Sequence, residues 1–209
     1  MKYKLLIWAI FIAFVMQGCI YIHMTHLSDE DLEWGDVYEV GDTVLFVSNL
    51  GNNDIMTVTK QSLYNNRCPV YFSTGSGPDY YANTGYRYII QHRRSVIDGL
   101  ISFRKSITDS LEVIYMLGMR FSISDLNRHD THRLLKTSKF WHNSELYDNC
   151  IIADSKNSEY PDYWEEKIKN KVEKFVWSKE YGLIYYKFED GEEFFREDLL
   201  PDSIGNNTN

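Results

Sequence analysis

Residues 173–196 read EKFVWSKEYGLIYYKFEDGEEFFR, and they set the fold class. Residues 173–177 are rich in β-branched and aromatic side chains and predict a strand. Residues 178–182 end in a glycine and predict a turn. Residues 183–188 predict a second strand, with Leu183, Tyr185 and Lys187 on one face. Asp190-Gly191 is a tight-turn dipeptide, and residues 193–196 return. Three short strands joined by two turns make an antiparallel meander.

The same pattern recurs toward the amino terminus. Residues 43–48, TVLFVS, predict a strand, and the Gly/Asn-rich residues 49–54 a turn. Residues 55–60 alternate as Ile55, Thr57 and Thr59, which completes a hairpin. Residues 73–85 hold three glycines and a proline and read as a long loop. Residues 86–97 are strand-like, Asp98-Gly99 is the expected hairpin turn, and residues 100–107 return. Residues 111–117 and 119–123 predict two short strands around Gly118. Ser124 or Asp125 would cap a helix over residues 124–136, with Leu126, Leu134 and Leu135 facing inward. Pro161 would open a second short helix running toward Lys174. The expected class is α+β, mostly β, with one or two short helices. An aromatic content of 15%, including 16 tyrosines, agrees with it.

The chain has 209 residues and no internal repeat, which suits one domain. Its formal charge of −8 opposes phosphate backbones, so nucleic acid is not an expected partner. The same acidity argues against docking on anionic lipid through a basic patch. The carboxylates fall mostly at turns, where they read as solubility.

The amino terminus carries the clearest address. Lys2 and Lys4 precede an apolar run, LLIWAIFIAFVM over residues 5–16, then Gly18 and Cys19. A basic end, an apolar core and a small residue at the cut are the order of a signal peptide. The core is shorter than the roughly 20 residues a membrane-spanning helix takes. The rival reading is an uncleaved anchor over the uncharged residues 5–22.

Met16-Gln17-Gly18-Cys19 resembles the lipobox of lipoprotein signal peptides, departing at Met16 and Gln17 and fitting at Gly18 and Cys19. The resemblance implies cleavage after Gly18 and lipidation of Cys19. Val40-Gly41-Asp42-Thr43 and the run from Trp177 to Tyr186 resemble the first strand and the final hairpin of small Gram-negative envelope lipoproteins. That likeness implies a curved antiparallel sheet or half-barrel. It also implies a lipid-anchored place in the cell envelope, at the outer membrane, on its periplasmic face or at the cell surface. It carries no catalytic residue. The expected organisation is a signal peptide over 1–18, a lipidated cysteine with an acidic tether over 19–35, a single β-rich domain over 36–198 and a flexible tail over 199–209. Residues 20–35, with the acidic run Ser28-Asp29-Glu30-Asp31, read as a solvated linker.

Candidate chemistry is thin. His129 and His132 form an H-x-x-H pair, too few ligands for zinc without His142, Glu145 or another third group. Gly75-Ser76-Gly77 fits neither a nucleophile elbow nor a phosphate loop. Cys68 and Cys150 are an even pair once Cys19 is lipidated. In an oxidising compartment they form a disulfide, or else they stay as two separate buried thiols. Asp202-Ser203-Ile204 resembles the acceptor of a bacterial O-glycosylation system, with Ser203 in the exposed tail. Tyr80, Tyr81, Tyr86, Tyr88, Trp141 and Trp164 are either platforms for a protein or glycan partner or ordinary sheet core. The expected function is a membrane-anchored binding or scaffolding module, with no enzymatic activity and no cofactor. The alternatives are an immunity-type lipoprotein masking a basic toxin and, last, a hydrolase of glycan or peptidoglycan.

Overall fold

A computed structural model describes residues 24–65, 81–117, 133–154 and 172–201. They form β1 (Thr43–Ser48), β2 (Asn53–Tyr64), β3 (Asn83–His92), β4 (Ser95–Lys105), β5 (Leu111–Leu117), β6 (Arg133–Leu134), β7 (Ser138–His142), β8 (Glu145–Asp154), β9 (Val172–Ser178), β10 (Gly182–Phe188) and β11 (Glu193–Arg196). One short helix, α1 (Asp29–Leu32), and two 3-10 turns (Glu33–Gly35 and Glu197–Leu199) complete the described chain. The protein is mostly β, in one open antiparallel sheet ordered β6-β5-β4-β3-β2-β1-β11-β10-β9-β8-β7. The amino-terminal hairpins and the carboxy-terminal meander meet at β1 and β11, where Phe46 opposes Arg196 and Ser48 opposes Phe194. No described helix is long and apolar enough to cross a membrane.

The sheet is strongly curled. Strands β3 and β9 are five positions apart in the order, which in a flat sheet is about 24 Å at the usual strand spacing. Yet the rings of Tyr88 on β3 and Trp177 on β9 are 6.2 Å apart. Tyr115 on β5 and Phe175 on β9, seven positions apart, approach to 5.1 Å. The concave face therefore wraps one aromatic core, with Tyr86, Tyr88, Trp177, Tyr186, Phe46 and Phe103 fully buried. At 1.5–3 kcal/mol or so per fully buried large apolar side chain, this core drives the curl.

The convex face is covered too. Val176, Ile184, Tyr185 and Phe195 form a second cluster with Phe140, Tyr147 and Cys150 of the β7–β8 hairpin. The hairpin turns at Asn143 and Ser144, both at positive φ, and β8 bends at Asn149, φ +51°. This folds it back over its own sheet. His142 stacks on Phe195 at 3.9 Å although β7 and β11 are four positions apart. Strand β10 thus lies between two apolar layers, and all its residues but Lys187 are buried.

Several expectations need correction. The stretch 19–35 is not a solvated tether from residue 24 onward, because Leu27, Trp34 and Gly35 are buried. Its acidic run is α1, closed by a capping box in which Ser28 and Asp31 exchange hydrogen bonds at 2.9 and 3.2 Å. Asp98-Gly99 is not a turn: the chain reverses at Arg93 and Arg94, and Gly99 lies inside β4 opposite Tyr88. A Cβ on Gly99 would fall 2.0 Å from the Tyr88 ring, so this glycine serves close packing. Leu183 and Tyr185 do not share a face, because a register shift between them puts Leu183 in the inner core and Tyr185 in the outer cluster. Of the helix expected over 124–136, Arg133 and Leu134 instead pair with β5. Of the one expected toward Lys174, residues 172–174 belong to β9. Residues 83–85 of the expected loop belong to β3. Residues 124–132 of the first helix, 161–171 of the second, 73–80 of the loop, and residues 119–123 lie outside the described residues.

Candidate functional site

Among the described residues, two groupings of polar side chains bear on function. The first is a cleft of about 460 Å³ between the β7–β8 hairpin and the β9–β10 turn. Its floor is set by local chain chemistry. Ser178 Oγ accepts from the N–H groups of Glu180 and Tyr181 at 3.2 and 3.4 Å, which closes the turn. Gly182 follows at φ +74°, packed on the Tyr38 ring so tightly that a Cβ would lie 2.4 Å from it. Tyr38 Oη donates to the Tyr181 carbonyl at 2.9 Å, and the Arg196 guanidinium donates to the same carbonyl. The turn meets the bend in β8 where Lys179 N–H donates to Asn149 O at 3.1 Å.

The rim is acidic. Glu33, Glu145, Asp148 and Glu180 line the cleft against one cation, Lys179. Lys179 Nζ is 2.7 Å from Glu33, and Lys139 reaches Asp148 at 3.1 Å. Tyr147 Oη donates to Glu145 at 2.9 Å. Burial, reinforced by Glu145, raises the pKa of this phenol, which therefore stays protonated at neutral pH. Trp141, 64% exposed, and Leu146, 38% exposed, oppose each other across the hairpin, and Leu146 forms part of the cleft wall. The hairpin presenting them is held by Phe140 against Tyr185 at 5.2 Å and by His142 on Phe195. Burial also lowers the His142 pKa, so this imidazole is neutral at pH 7.

The second place is the far end of the core. Asp54 on β2 accepts from Tyr186 Oη at 2.5 Å and pairs with His92 Nδ1 at 2.9 and 3.0 Å. His92 lies against Phe188 at 4.8 Å and Phe194 at 5.6 Å, and its Nε2 is buried without a hydrogen-bond partner. Burial, then the Asp54 charge, drives the Tyr186 pKa up. A His beside a carboxylate resembles catalytic machinery, yet the side chains are 2% and 0% exposed. Nothing the size of a substrate reaches them, and the network ties β2 and β3 to β10.

The residues singled out from the sequence are only partly visible. Gly18, Cys19, Cys68, His129, His132, Ser203, Tyr80, Trp164 and Gly75-Ser76-Gly77 lie outside the described residues. Cys150 is a free, buried thiol whose pKa burial pushes up to about 11, which makes it inert at neutral pH. Its expected partner, Cys68, is not described. Tyr86 and Tyr88 are core, whereas Trp141 is exposed. Among the described residues no three of His, Cys, Asp and Glu converge as a metal ion would require. The hairpin that carries the cleft is absent from the sequence reading. Its signal is Asn143-Ser144, a pair suited to positive φ, between SKFWH and ELYDNC. In comparisons with protein-family models, curated proteins and solved structures, the chain matches none.

Proposed function

We propose that the protein is an envelope lipoprotein, anchored through Cys19, whose β body binds a protein partner at the cleft beside Trp141. The observation that carries the binding half is the Trp141–Leu146 pair. A large aromatic side chain left 64% exposed on a hairpin pinned by stacked rings has the rigidity and apolar area of an interaction hot spot. The groups around it suit recognition. Among the described residues they are carboxylates, a lysine and a protonated phenol. The anchoring half rests on the Gly18-Cys19 lipobox and its short apolar core.

A second reading is an immunity-type lipoprotein that masks a toxin. The rim favours it, since four carboxylates against Lys179 complement a basic protein and speed its encounter. A hydrolase ranks below both.

Capture of envelope proteins by the anchored chain, compared with Trp141→Ala, tests the reading. The expected result is one stoichiometric basic partner that is lost with Trp141→Ala and weakened by added salt. Capture unchanged by the substitution would contradict the assigned surface. Fatty-acid labelling that persists in Cys19→Ala would contradict the anchor.

A further inference from the structure

We infer that one rim of the half-barrel, bearing Leu63, Tyr64 and Ile107, seats against the membrane surface into which the amino-terminal segment runs. The inference rests on the membrane attachment proposed above. It holds for a lipidated Cys19 and for an uncleaved anchor alike, because it depends on where the chain joins the body.

That junction comes very early. Thr25 Oγ1 donates to Lys105 O at 2.9 Å and accepts from Ala82 N–H at 2.9 Å. Leu27 and Asn65 exchange two hydrogen bonds, at 2.9 and 3.0 Å, and Leu27 is buried. Lys105 Nζ then meets Asp31 at 2.8 Å. The chain is therefore fixed to the ends of β2, β3 and β4 from residue 25 on. Only residues 20–23 separate Cys19 from Met24. Five steps along the chain reach about 18 Å at full extension. The headgroup layer takes up roughly 6 Å of that on one side of a bilayer. An uncleaved anchor over residues 5–22 leaves less. A body so closely moored cannot tumble freely above the surface.

The rim at the mooring point is apolar. Leu63 is 63% exposed, Tyr64 46% and Ile107 50%. Leu63 and Tyr64 end β2 next to Asn65, and Ile107 lies in the turn just past Lys105. Exposed apolar side chains occur elsewhere, including Leu50 and Val96 on the opposite hairpin tips, and singly they mean little. What separates this group is that the amino-terminal segment joins the body in its midst, at Thr25 and Leu27. The two described cations at this rim are paired within the protein: Lys105 with Asp31 and with Asp109, and Arg104 with Glu112. With no surplus cation among these groups, the contact is with the headgroup–acyl boundary. There a tyrosine ring and aliphatic side chains are at home, and anionic headgroups are not required.

The test uses the full chain in phosphatidylcholine vesicles, carrying Cys68→Ser so that an added cysteine is the main reactive thiol. Nitroxide labels are placed at Leu63→Cys, Ile107→Cys and Val96→Cys in separate samples. Flotation with the vesicles is scored first. Accessibility to an aqueous nickel chelate is then compared with accessibility to lipid-soluble oxygen. The labels at 63 and 107 should be shielded from the chelate several-fold relative to the label at 96. Adding Tyr64→Asp should reduce that shielding without reducing flotation. Equal accessibility at all three positions in a floating protein would overturn the seating of this rim and leave the anchor intact. A chain that does not float would overturn the anchor, and the seating with it.

Discussion

The two ends of the half-barrel are closed by different means. At the far end, where Arg93 and Arg94 turn β3 into β4, closure comes from within the sheet: Asp54, His92 and Tyr186 join β2, β3 and β10 in the dry interior. At the near end, closure comes from outside the sheet. Residues 24–35 run along the rim from Lys105, bound by Asp31, to Lys179, bound by Glu33, and insert Trp34 beside Phe103 at 5.2 Å. An internal lock makes one end rigid without reference to surroundings. A lock supplied by the incoming chain ties the other end to whatever that chain is attached to. The near end therefore depends on residues 24–35 in a way the far end does not.

Three substitutions would sharpen or break the comparison. Asp54→Ala should cost the most, about 4 kcal/mol, because it leaves the Tyr186 hydroxyl and the His92 ring buried without their acceptor. Urea unfolding would read this as a large fall in the midpoint, and a change below about 1 kcal/mol would show that the far end is not locked there. Lys105→Met should cost about 1 kcal/mol, since its pair with Asp31 is only partly screened. Its pH dependence is specific. Burial raises the Asp31 pKa, but hydrogen bonds from Lys105 and then Ser28 outweigh that and hold it below 3.8. A lowered carboxylate pKa gives stability that is present above the ordinary value and lost as pH falls through the folded one. The gap between wild type and Lys105→Met should therefore close below about pH 4. Arg94→Ala, at an exposed pair with Asp190, should change stability by less than about 0.5 kcal/mol, a control that separates surface ion pairs from the two locks.

The legible parts of the sequence were those where turn chemistry and strand composition agree. The TVLFVS strand and the 173–196 meander, with Gly182 and Asp190-Gly191, are of that kind. Legibility failed where tertiary contacts set the outcome. Asp98-Gly99 carries turn chemistry, but the Tyr88 ring claims the space over Gly99. The acidic residues 28–31 look like linker because a capped single turn has too few residues to show a period. What buries this region is Trp34 and Leu27 meeting strands far along the chain. The cleft was invisible for the same reason: Glu33 is more than a hundred residues from Lys179 and Glu145, and only the fold-back of the β7–β8 hairpin assembles them. Composition does not separate the exposed ring of Trp141 from core rings such as Tyr86.

The most direct test of the account is the stability of two shortened chains, one begun at residue 24 and one at residue 36, measured by thermal unfolding at neutral pH. The segment between them buries Leu27 and Trp34 and supplies the partners of Lys105 and Lys179. Its removal should cost about 3 kcal/mol net, a fall in Tm of about 10 °C for a chain of this size. Equal Tm values would contradict the account and return residues 24–35 to the role of a free leash.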